Sequence, residues 1–572
     1  MDDFIAERWN LSNGIIADRP PEELSLSLSA TTSISVRLMN EPNESASEGA
    51  VPPRNSQRIT IIVAVLTLLA VLLPSWSGFD APGAPMDEGM LLVYPELILH
   101  GKLPYRDFET FYAPGNLLTL AGAYSVFGIR LDVERSVGLL YRLALAGGIF
   151  FVVRRLSLPA AVICTILGAS FLLPTYLAAF AWLGGVSCAL WSILLLAGPP
   201  GLRRAMAAGV LAGVALLYRV DLGPAVIASA IPLGLMLPPR LRWAYLGAAT
   251  AALLPLAAVT FLAGPHATLE NLFLYPVLIA NPGRRLPLSA ASDAIFFIFL
   301  LHVGACLCNL FAGGLACRRD RQSICARLFL AAALLAAALT PQTLQRVDET
   351  HLLVSAFLSI ALFPMALVIL GRRGAVQGAP AGWALGAAAA VAAVVSFKAP
   401  GLPVQFGRAV AQSLDHEAAP PPSVIVRGRQ FPRPVFVPEA QQIASYLEAH
   451  STPGERLFVG TADLRFTFYN DTFFYHLLPW LTPATYFLEM NPLSANRPNS
   501  RLANDVATAD WLVLNRFWDQ PSEPNQSRIP GSDAPNEVVR TQFVRLAIYD
   551  PFAIYRRRQP PEHTDKKPSI AP

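Results

Sequence analysis

The stretch LLVSAFLSIALFPMALVILG, residues 352–371, decides the fold class because it runs for twenty residues without a charged side chain. A helix that crosses a bilayer needs about 17–25 predominantly apolar residues. Five other stretches are long and nearly uncharged: residues 59–76, 158–177, 178–198, 243–264 and 296–317. The chain is 53% hydrophobic and 15% charged, with a mean hydropathy of +0.43, whereas soluble domains carry about 25% charged residues. The sequence therefore predicts a polytopic α-helical membrane protein.

Charge and cysteine content exclude several other classes. The net charge of +4 over 572 residues is small, and no nucleic-acid partner is predicted. The six cysteines all lie in apolar runs or at their edges, so no disulfide framework is expected in the polar C-terminal part. Cys306 and Cys308 are interpreted as small helix residues rather than metal ligands. Residues 1–57 have the composition of a disordered cytoplasmic tail, and the first apolar run is predicted to be an uncleaved anchor.

Paired arginines give a topology because positive residues collect at the cytoplasmic ends of spans. If all such groups are cytoplasmic, an even number of crossings separates each group from the next. This condition makes the short apolar segment 116–128 interfacial or re-entrant, since a crossing there would place every later group outside. About eleven spans result, with the N-terminus inside and the region after residue 397 outside. The groups are Arg54 and Arg58, Arg154 and Arg155, Arg203 and Arg204, Arg240 and Arg242, Arg318, Arg319 and Arg321, and Arg372 and Arg373.

A second set of arginines falls at the outer boundary of the membrane, where positive charge is unexpected. Ionisable residues at this depth indicate a functional site. Arg219 lies in the turn YRVDLGP, residues 218–224, between two apolar runs. Residues 205–238 are too few for two full spans of about 20 residues each, so this turn is predicted to sink below the outer surface. An internal pair of Arg219 with Asp221 is the alternative interpretation, and both can hold. The other arginines of this set are Arg130, Arg135, Arg142, Arg284, Arg285 and Arg346.

The motif LQRVDETH, residues 344–351, precedes the span at 352–371. It brings Arg346, Asp348 and His351 to the outer end of that span. Asp348 and His351 are three residues apart and would share one face of a helix. A solvated polar loop is the alternative, and two ligands alone do not make a metal site. We predict that Asp348, His351 and Asp221 support the neighbouring arginines.

Guanidinium groups around an outer cavity suit a phosphate attached to a lipid, because arginine binds phosphate oxygens through a planar, permanently charged fork. The arginines predicted to bind such a phosphate are Arg142, Arg219, Arg284, Arg285 and Arg346.

The loop after the first span reads MDEGMLLVYPELILHGKLPYRDF, residues 86–108. Apolar residues recur there at helical spacing, and Gly101 and Pro104 end the pattern. The sequence predicts a short amphipathic helix along the membrane surface with Asp87 and Glu88 in its first turn. Such acids often only stabilise the helix dipole and cap unbonded N–H groups, so the residues alone leave a structural role and a catalytic role open.

This loop resembles the first outer loop of the GT-C glycosyltransferases. Within that superfamily it is most similar to bacterial dolichyl-phosphate-mannose–protein mannosyltransferase-like proteins, which include the lipid A aminoarabinose transferases. LQRVDETH resembles a late outer-loop motif of the same class, and the resemblance covers about residues 59–397. The matching loop residues are Asp87, Glu88, Gly89, Gly101, Pro104, Tyr105, Asp107, Phe108, Pro114 and Gly115.

The resemblance implies an inverting glycosyltransferase that takes a sugar from a polyprenyl-phosphate donor at the outer, periplasmic face of a bacterial inner membrane. Asp87 would be the general base for the acceptor, or would orient it, with Glu88 supporting or replacing it. Asp107 would be a second acid near the acceptor, together with Tyr105. The acceptor would be a glycan, a lipid or a protein. No DxD motif occurs in this loop; a divalent metal is possible but is not indicated, and no cofactor is predicted.

The C-terminal part is more polar and alternates in the manner of a small α/β unit. Residues 438–450 have helical periodicity, and ERLFVG and DWLVLN are typical of short strands. The sequence therefore predicts four regions: a tail at 1–57, a GT-C-like transmembrane catalytic domain at 58–397 with its first outer loop at 77–136, an extramembrane α/β domain at 398–556, and a disordered tail at 557–572.

Two alternatives to the transferase stay open at this stage. A transporter or flippase for a lipid-linked anion would also need buried arginines, although no half-to-half repeat typical of transporters is found. A non-catalytic membrane protein of envelope assembly would tolerate loss of Asp87.

Overall fold

The protein is described from a computed structural model that covers residues 54–175, 177–371, 381–415, 420–433 and 435–558. Almost all of the two predicted tails, 1–57 and 557–572, lies outside these residues, as do Arg372 and Arg373.

Apolar helices dominate the chain up to residue 414 and occur where the sequence predicts spans. In chain order they are α1 (Arg54–Trp76), α2 (Asp87–Leu99), α3 (Pro114–Phe127), α4 (Leu131–Arg154), α5 (Leu158–Ser170), α6 (Ala181–Leu196), α7 (Leu202–Tyr218), α8 (Gly223–Gly234), α9 (Pro239–Ala251), α10 (Leu254–Ala263), α11 (Pro265–Leu269), a π-helix (Glu270–Ile279), α12 (Asn281–Arg284), α13 (Asp293–Arg319), α14 (Ile324–Ala338), α15 (Thr340–Gln345), α16 (Glu349–Gly371), α17 (Ala381–Lys398) and α18 (Gly401–Leu414).

Seven helical segments among the described residues are long and apolar enough to cross a membrane, or eight if the pair Leu385–Lys398 and Gly401–Leu414, bent by 103°, is one span. The predicted count of about eleven is not confirmed. Two expected crossings are shorter helices, Ala181–Leu196 and Val220–Gly234. Helix α3 is not among the candidate spans, in agreement with the interfacial or re-entrant interpretation of residues 116–128. The chain is a multi-pass integral membrane protein.

The C-terminal part contains a small α/β domain. Its elements are β1 (Ser423–Val426), β2 (Arg429–Pro432), α19 (Val437–His450), β3 (Arg456–Thr461), α20 (Phe473–Leu477), β4 (Thr482–Pro483), α21 (Leu502–Thr508), β5 (Trp511–Asn515), α22 (Ala534–Gln542), β6 (Phe543–Tyr549) and β7 (Phe552–Arg557). The five-stranded sheet has the order β4-β3-β5-β7-β6, with β3 parallel to β4 and β5 and the other pairs antiparallel. Strands β3 and β5 coincide with the predicted ERLFVG and DWLVLN and are almost wholly buried, as strands covered on both faces are.

Helix α2 lies between the membrane helices and this domain, and nine consecutive residues of it are buried. The expectation of an amphipathic helix along the membrane surface is therefore wrong. Its apolar residues join one hydrophobic core with Phe473 and the sheet residues of the C-terminal domain. The C-terminal domain covers the face of α2 that the sequence pattern predicts to be exposed to solvent. The domain residues that make this contact lie several hundred positions later in the sequence.

Two glycines of the loop motif allow the close contacts that position this region. A Cβ on Gly89 would lie 2.6 Å from the backbone nitrogen of Phe473, and a Cβ on Gly115 would lie 2.6 Å from the carbonyl oxygen of Leu217. Gly89 thus lets the start of α2 approach α20. Gly115 lets α3 approach the end of α7, immediately before Arg219.

Candidate active site

A cavity of about 250 Å³ lies between the helical part and the C-terminal domain. Its wall combines a carboxylate that makes no hydrogen bond or ion pair within the described residues, three arginines and a group of aromatic rings. The predicted site residues that line it are Asp87, Arg219, Arg284, Arg346, Asp348 and His351.

Asp87 is the first residue of α2, and its side chain lines the cavity. Within the described part of the chain, its carboxylate makes no hydrogen bond and no ion pair. Burial raises the pKa of Asp87, an effect that the charges of Arg284, His351 and Arg346 oppose. A buried carboxylate with a raised pKa accepts a proton more readily than an exposed aspartate does.

Glu88, the neighbouring acid, points into a different environment. It is fully buried and accepts two hydrogen bonds from Arg135, at 2.9 Å from Nε and 3.0 Å from Nη2. The Arg135 Nη1 also donates to the carbonyl oxygens of Phe79 and Ala81. Glu88 does not line the cavity, and this pair ties the start of α2 to α4 and to the end of the first span.

Arg219 lies in the turn between α7 and α8, and its guanidinium carbon is 5.4 Å from the ring centre of Tyr112 and 5.3 Å from that of Trp182. Its Nε donates to Asp221 at 2.8 Å. Asp221 is half exposed and does not line the cavity. Arg219 therefore pairs with Asp221 and also lines the cavity, whereas the depth of this turn in the membrane stays a prediction.

Arg284 ends α12 and lines the cavity, where its Nη1 donates to the Asn491 side chain at 3.0 Å. Arg285, the next residue, is exposed and lies outside the cavity wall. Arg142 also lies outside it: its guanidinium is buried within the helices and donates to the carbonyl oxygens of Thr175, Ala178 and Gly138. Three of the five arginines predicted to bind phosphate are thus brought together.

Arg346 carries the densest set of contacts in the cavity wall. Its Nε donates to Asp348 at 2.6 Å, and its Nη1 donates to the backbone carbonyl of Arg284 at 2.8 Å. Both outer nitrogens also bind the two carboxylate oxygens of Glu523. Asp348 in turn lies 2.8 Å from His351 Nδ1. Burial alone would raise the pKa of Asp348, but His351 and Arg346 hold it well below its usual range.

The two residues expected near the acceptor lie away from the cavity wall. Asp107 accepts from the backbone of Leu103 at 2.7 Å and pairs with Arg106, which closes the local turn. Tyr105 is buried at a positive φ of 69°, and its hydroxyl donates to the carbonyl of Tyr112. Both residues shape the loop that holds Tyr112 in the wall.

A buried pair of carboxylates next to the cavity was not identified from the sequence. The amide nitrogen of Asn491 lies 3.1 Å from Glu489 and 3.4 Å from Glu109, while its oxygen accepts from Arg284. The Ser494 hydroxyl also bonds Glu109. Burial raises the pKa of Glu109 to about 8 and raises that of Glu489. Glu109 directly follows Phe108, the last residue of the loop motif. This position is the feature of the sequence that could have pointed to Glu109.

We expect the folded protein to lose stability on the order of a few kcal/mol as the pH rises from about 4.5 to about 8. In that range the folded state keeps a proton on Glu109, whose pKa is about 8, while the unfolded chain releases it near the usual 4.5. The native state therefore binds more protons than the unfolded state, and raising the pH favours unfolding. Thermal unfolding in detergent, followed against pH, measures this slope, and Glu109→Gln should flatten it. An equally steep slope in the variant would contradict this role for Glu109.

Aromatic side chains of the C-terminal domain form another part of the wall. Trp518 is held in place by a hydrogen bond from its ring nitrogen to Asp471 at 3.1 Å, and Asp471 pairs with the buried Arg433. Tyr469 lies against Trp518, with ring centres 4.1 Å apart, and its hydroxyl accepts from the backbone of Met86, next to Asp87. The cavity therefore has an apolar surface close to its partnerless acid.

Within the described residues, no group of three or more histidine, cysteine or acidic side chains is arranged to hold a metal ion. Asp348 and His351 form one pair, and Arg346 occupies the position beside them.

These features define a multi-pass integral membrane protein with an arginine-lined cavity covered by an α/β domain. No protein-family model and no curated protein matches the sequence. The fold is similar to that of ArnT from Cupriavidus metallidurans bound to undecaprenyl phosphate, with 14% identity over 88% of this chain and 98% of that one, at a TM-score of 0.49.

Two further solved structures are similar over most of this chain. The oligosaccharyltransferase AglB from Archaeoglobus fulgidus, in complex with an inhibitory peptide and a dolichol-phosphate, has 10% identity over 88% of this chain and 75% of its own, at a TM-score of 0.44. The arabinofuranosyltransferase AftD from Mycobacteria has 16% identity over 87% of this chain and 41% of its own, at a TM-score of 0.39. Because each of these TM-scores is below 0.5, the matches show no more than a likeness of fold.

Proposed function

We propose that the protein is a glycosyltransferase that moves a sugar from a polyprenyl-phosphate donor to an acceptor in the cavity beside Asp87. The observation that carries this proposal is the position of Asp87: a half-buried carboxylate that makes no hydrogen bond and no ion pair within the described residues and lies in the same cavity wall as Arg219, Arg284 and Arg346. A transfer from a phosphate-linked sugar needs this combination, a base for the acceptor and cations for the leaving phosphate.

In the proposed reaction, the acceptor hydroxyl attacks the anomeric carbon of the donor sugar from the side opposite the phosphate. The bond between the anomeric carbon and the phosphate oxygen breaks, and its electron pair leaves with the polyprenyl phosphate. Asp87 takes the proton of the acceptor hydroxyl. Because the attack comes from the side opposite the leaving phosphate, the anomeric configuration inverts. Arg219, Arg284 and Arg346 hold the negative charge of the phosphate, which makes it a better leaving group.

The proposed donor class is the one that the resemblance of the outer loop implies. ArnT is described with bound undecaprenyl phosphate and AglB with a dolichol-phosphate. A cavity that opens beside membrane helices suits a donor with a long lipid chain. We place the reaction at the periplasmic face of a bacterial inner membrane, as the arginine distribution and the loop resemblance indicate, with the extramembrane domain at 398–556 covering the catalytic domain at 58–397.

The test is turnover by the purified full-length protein with a panel of polyprenyl-phosphate sugars, read by mass spectrometry as release of polyprenyl phosphate. Sugar release with at least one donor, dependent on an acceptor, is the expected result. Lipid movement across proteoliposomes without sugar release would favour the transporter instead. A protein that neither turns over nor transports any member of the panel would contradict the proposal.

We expect Arg284→Ala to weaken binding of undecaprenyl phosphate about ten- to a hundredfold, because a charge-assisted contact to the phosphate is lost. Arg285→Ala is the matched control: it removes the same charge one residue away, from an exposed side chain outside the cavity. Arg219→Ala should resemble Arg284→Ala, since Asp221 is half exposed and tolerates the loss of its partner. Binding measured in nanodiscs checks this, and equal affinities for the Arg284 and Arg285 variants would contradict the phosphate site.

A further inference from the structure

Arg346 and Glu523 form an ion pair that conflicts with simple phosphate binding. Two parallel contacts join the guanidinium to the carboxylate, one of them 2.9 Å long. The exposed fraction of each side chain is small, 17% for Arg346 and 13% for Glu523, so water screens the pair only partly. This arrangement uses both outer nitrogens of Arg346, which are the atoms that bind a phosphate in a two-point contact.

The remaining polar contacts of Arg346 come from other directions. Nε donates to Asp348, and Nη1 also donates to the backbone carbonyl of Arg284. A bridge between the backbones of Leu286 and Arg346 fixes the two arginine-bearing loops together. Arg346 is therefore held in place without Glu523, and Glu523 lines the same cavity as Arg346.

Glu523 is presented by a segment of the C-terminal domain, residues 519–528, that lies over α12. The Glu523 carboxylate also accepts from the Asn525 side chain at 2.9 Å. Pro521 and Pro524 flank it and restrict the local backbone. The short helix Gln526–Arg528 of the same segment packs on α12, which ends at Arg284. The segment thus contacts both arginine-bearing regions: its Glu523 carboxylate binds Arg346, and its short helix packs on α12.

We infer that Glu523 occupies the phosphate position on Arg346 and that the donor phosphate must displace it, so that donor binding releases segment 519–528 from the cavity. This inference rests on the proposed function and adds its regulation. A carboxylate and a phosphate offer the same pair of oxygens to a guanidinium, so they compete for one face of it. Glu523 then sets the affinity for the donor and couples donor binding to the position of the C-terminal domain.

The test compares binding of undecaprenyl phosphate in nanodiscs by the wild type, Glu523→Gln, Glu523→Ala and Arg346→Ala. Removing the competing charge should tighten binding about tenfold in both Glu523 variants, whereas Arg346→Ala should weaken it. In the double variant Arg346→Ala/Glu523→Gln the gain should vanish, because the competition acts through Arg346. Glu537→Gln, an exposed acid of the same domain, controls for the general loss of a negative charge.

Other outcomes decide against the inference in distinct ways. If the wild type binds the lipid and Arg346→Ala weakens binding, but the Glu523 variants bind equally or more weakly, the pair is only structural and the proposed function stands. If no variant binds the lipid, the phosphate site and this inference fail together.

A second readout follows the segment itself. Hydrogen exchange of residues 519–528 in the wild type should increase when undecaprenyl phosphate is added. Unchanged or slower exchange there would contradict displacement.

Discussion

Asp87→Asn should lower sugar transfer about a hundred- to ten-thousandfold, the range that a general base contributes, while the protein folds normally. The change keeps the size of the side chain and removes only its ability to take a proton. Because Asp87 makes no hydrogen bond within the described residues and lines the cavity, its substitution breaks no structural contact there. The measurement is release of polyprenyl phosphate from the donor on which the wild type is most active.

Two comparisons make this result specific to the base. Binding of undecaprenyl phosphate by Asp87→Asn should be unchanged or tighter, since a negative charge has left a cavity lined by arginines. Asp132→Asn, at an exposed acid that begins α4, should keep wild-type turnover. Activity of Asp87→Asn close to that of the wild type would remove Asp87 from the mechanism and leave the phosphate site intact.

Glu88→Ala should have the largest effect on stability, a loss of about 3–5 kcal/mol, because it leaves the buried guanidinium of Arg135 without its counter-charge. The side chains of the pair are 0% and 1% exposed. The pair joins α4 to the start of α2, so the loss should appear as a large fall in the unfolding temperature in detergent. The matched control is Glu448→Ala, which breaks the exposed pair with Arg427 and should cost far less.

A double variant separates loss of the pair from loss of packing. Glu88→Leu/Arg135→Met replaces both charges with apolar side chains of similar size, and it should be more stable than either single variant. Single variants as stable as the wild type would show that the pair does not hold α2 in place.

The sequence identifies the membrane class, the outer-loop acids and three of the cavity arginines, but it cannot separate neighbouring residues. Successive residues on a helix point about 100° apart, at 3.6 residues per turn. Asp87 and Glu88 therefore meet a cavity and a buried arginine, respectively, although they match the loop motif equally well. Arg284 and Arg285 also diverge, because α12 ends at Arg284 and Arg285 is extended. Their position in the sequence does not give the direction of either side chain.

Contacts between segments that are distant in the sequence account for the other differences between the predictions and the structure. Arg142 is buried among the helices, where the carbonyl oxygen of Thr175, in the segment after α5, accepts a hydrogen bond from it. Glu523 lies in a proline-rich loop without periodicity and reaches Arg346 across 177 positions of sequence. Helix α2 has an apolar pattern that would suit a membrane surface equally well. Only the tertiary fold, which places the C-terminal domain above α2, decides among these possibilities.

The close contact at Gly89 makes the C-terminal domain an integral part of the protein rather than an exchangeable module. Any residue with a side chain at this position would collide with the backbone at Phe473, so the helix and the domain fit together only with glycine here. A chimera that combines this membrane region with the covering domain of a distant relative should therefore misfit at the helix that bears Asp87.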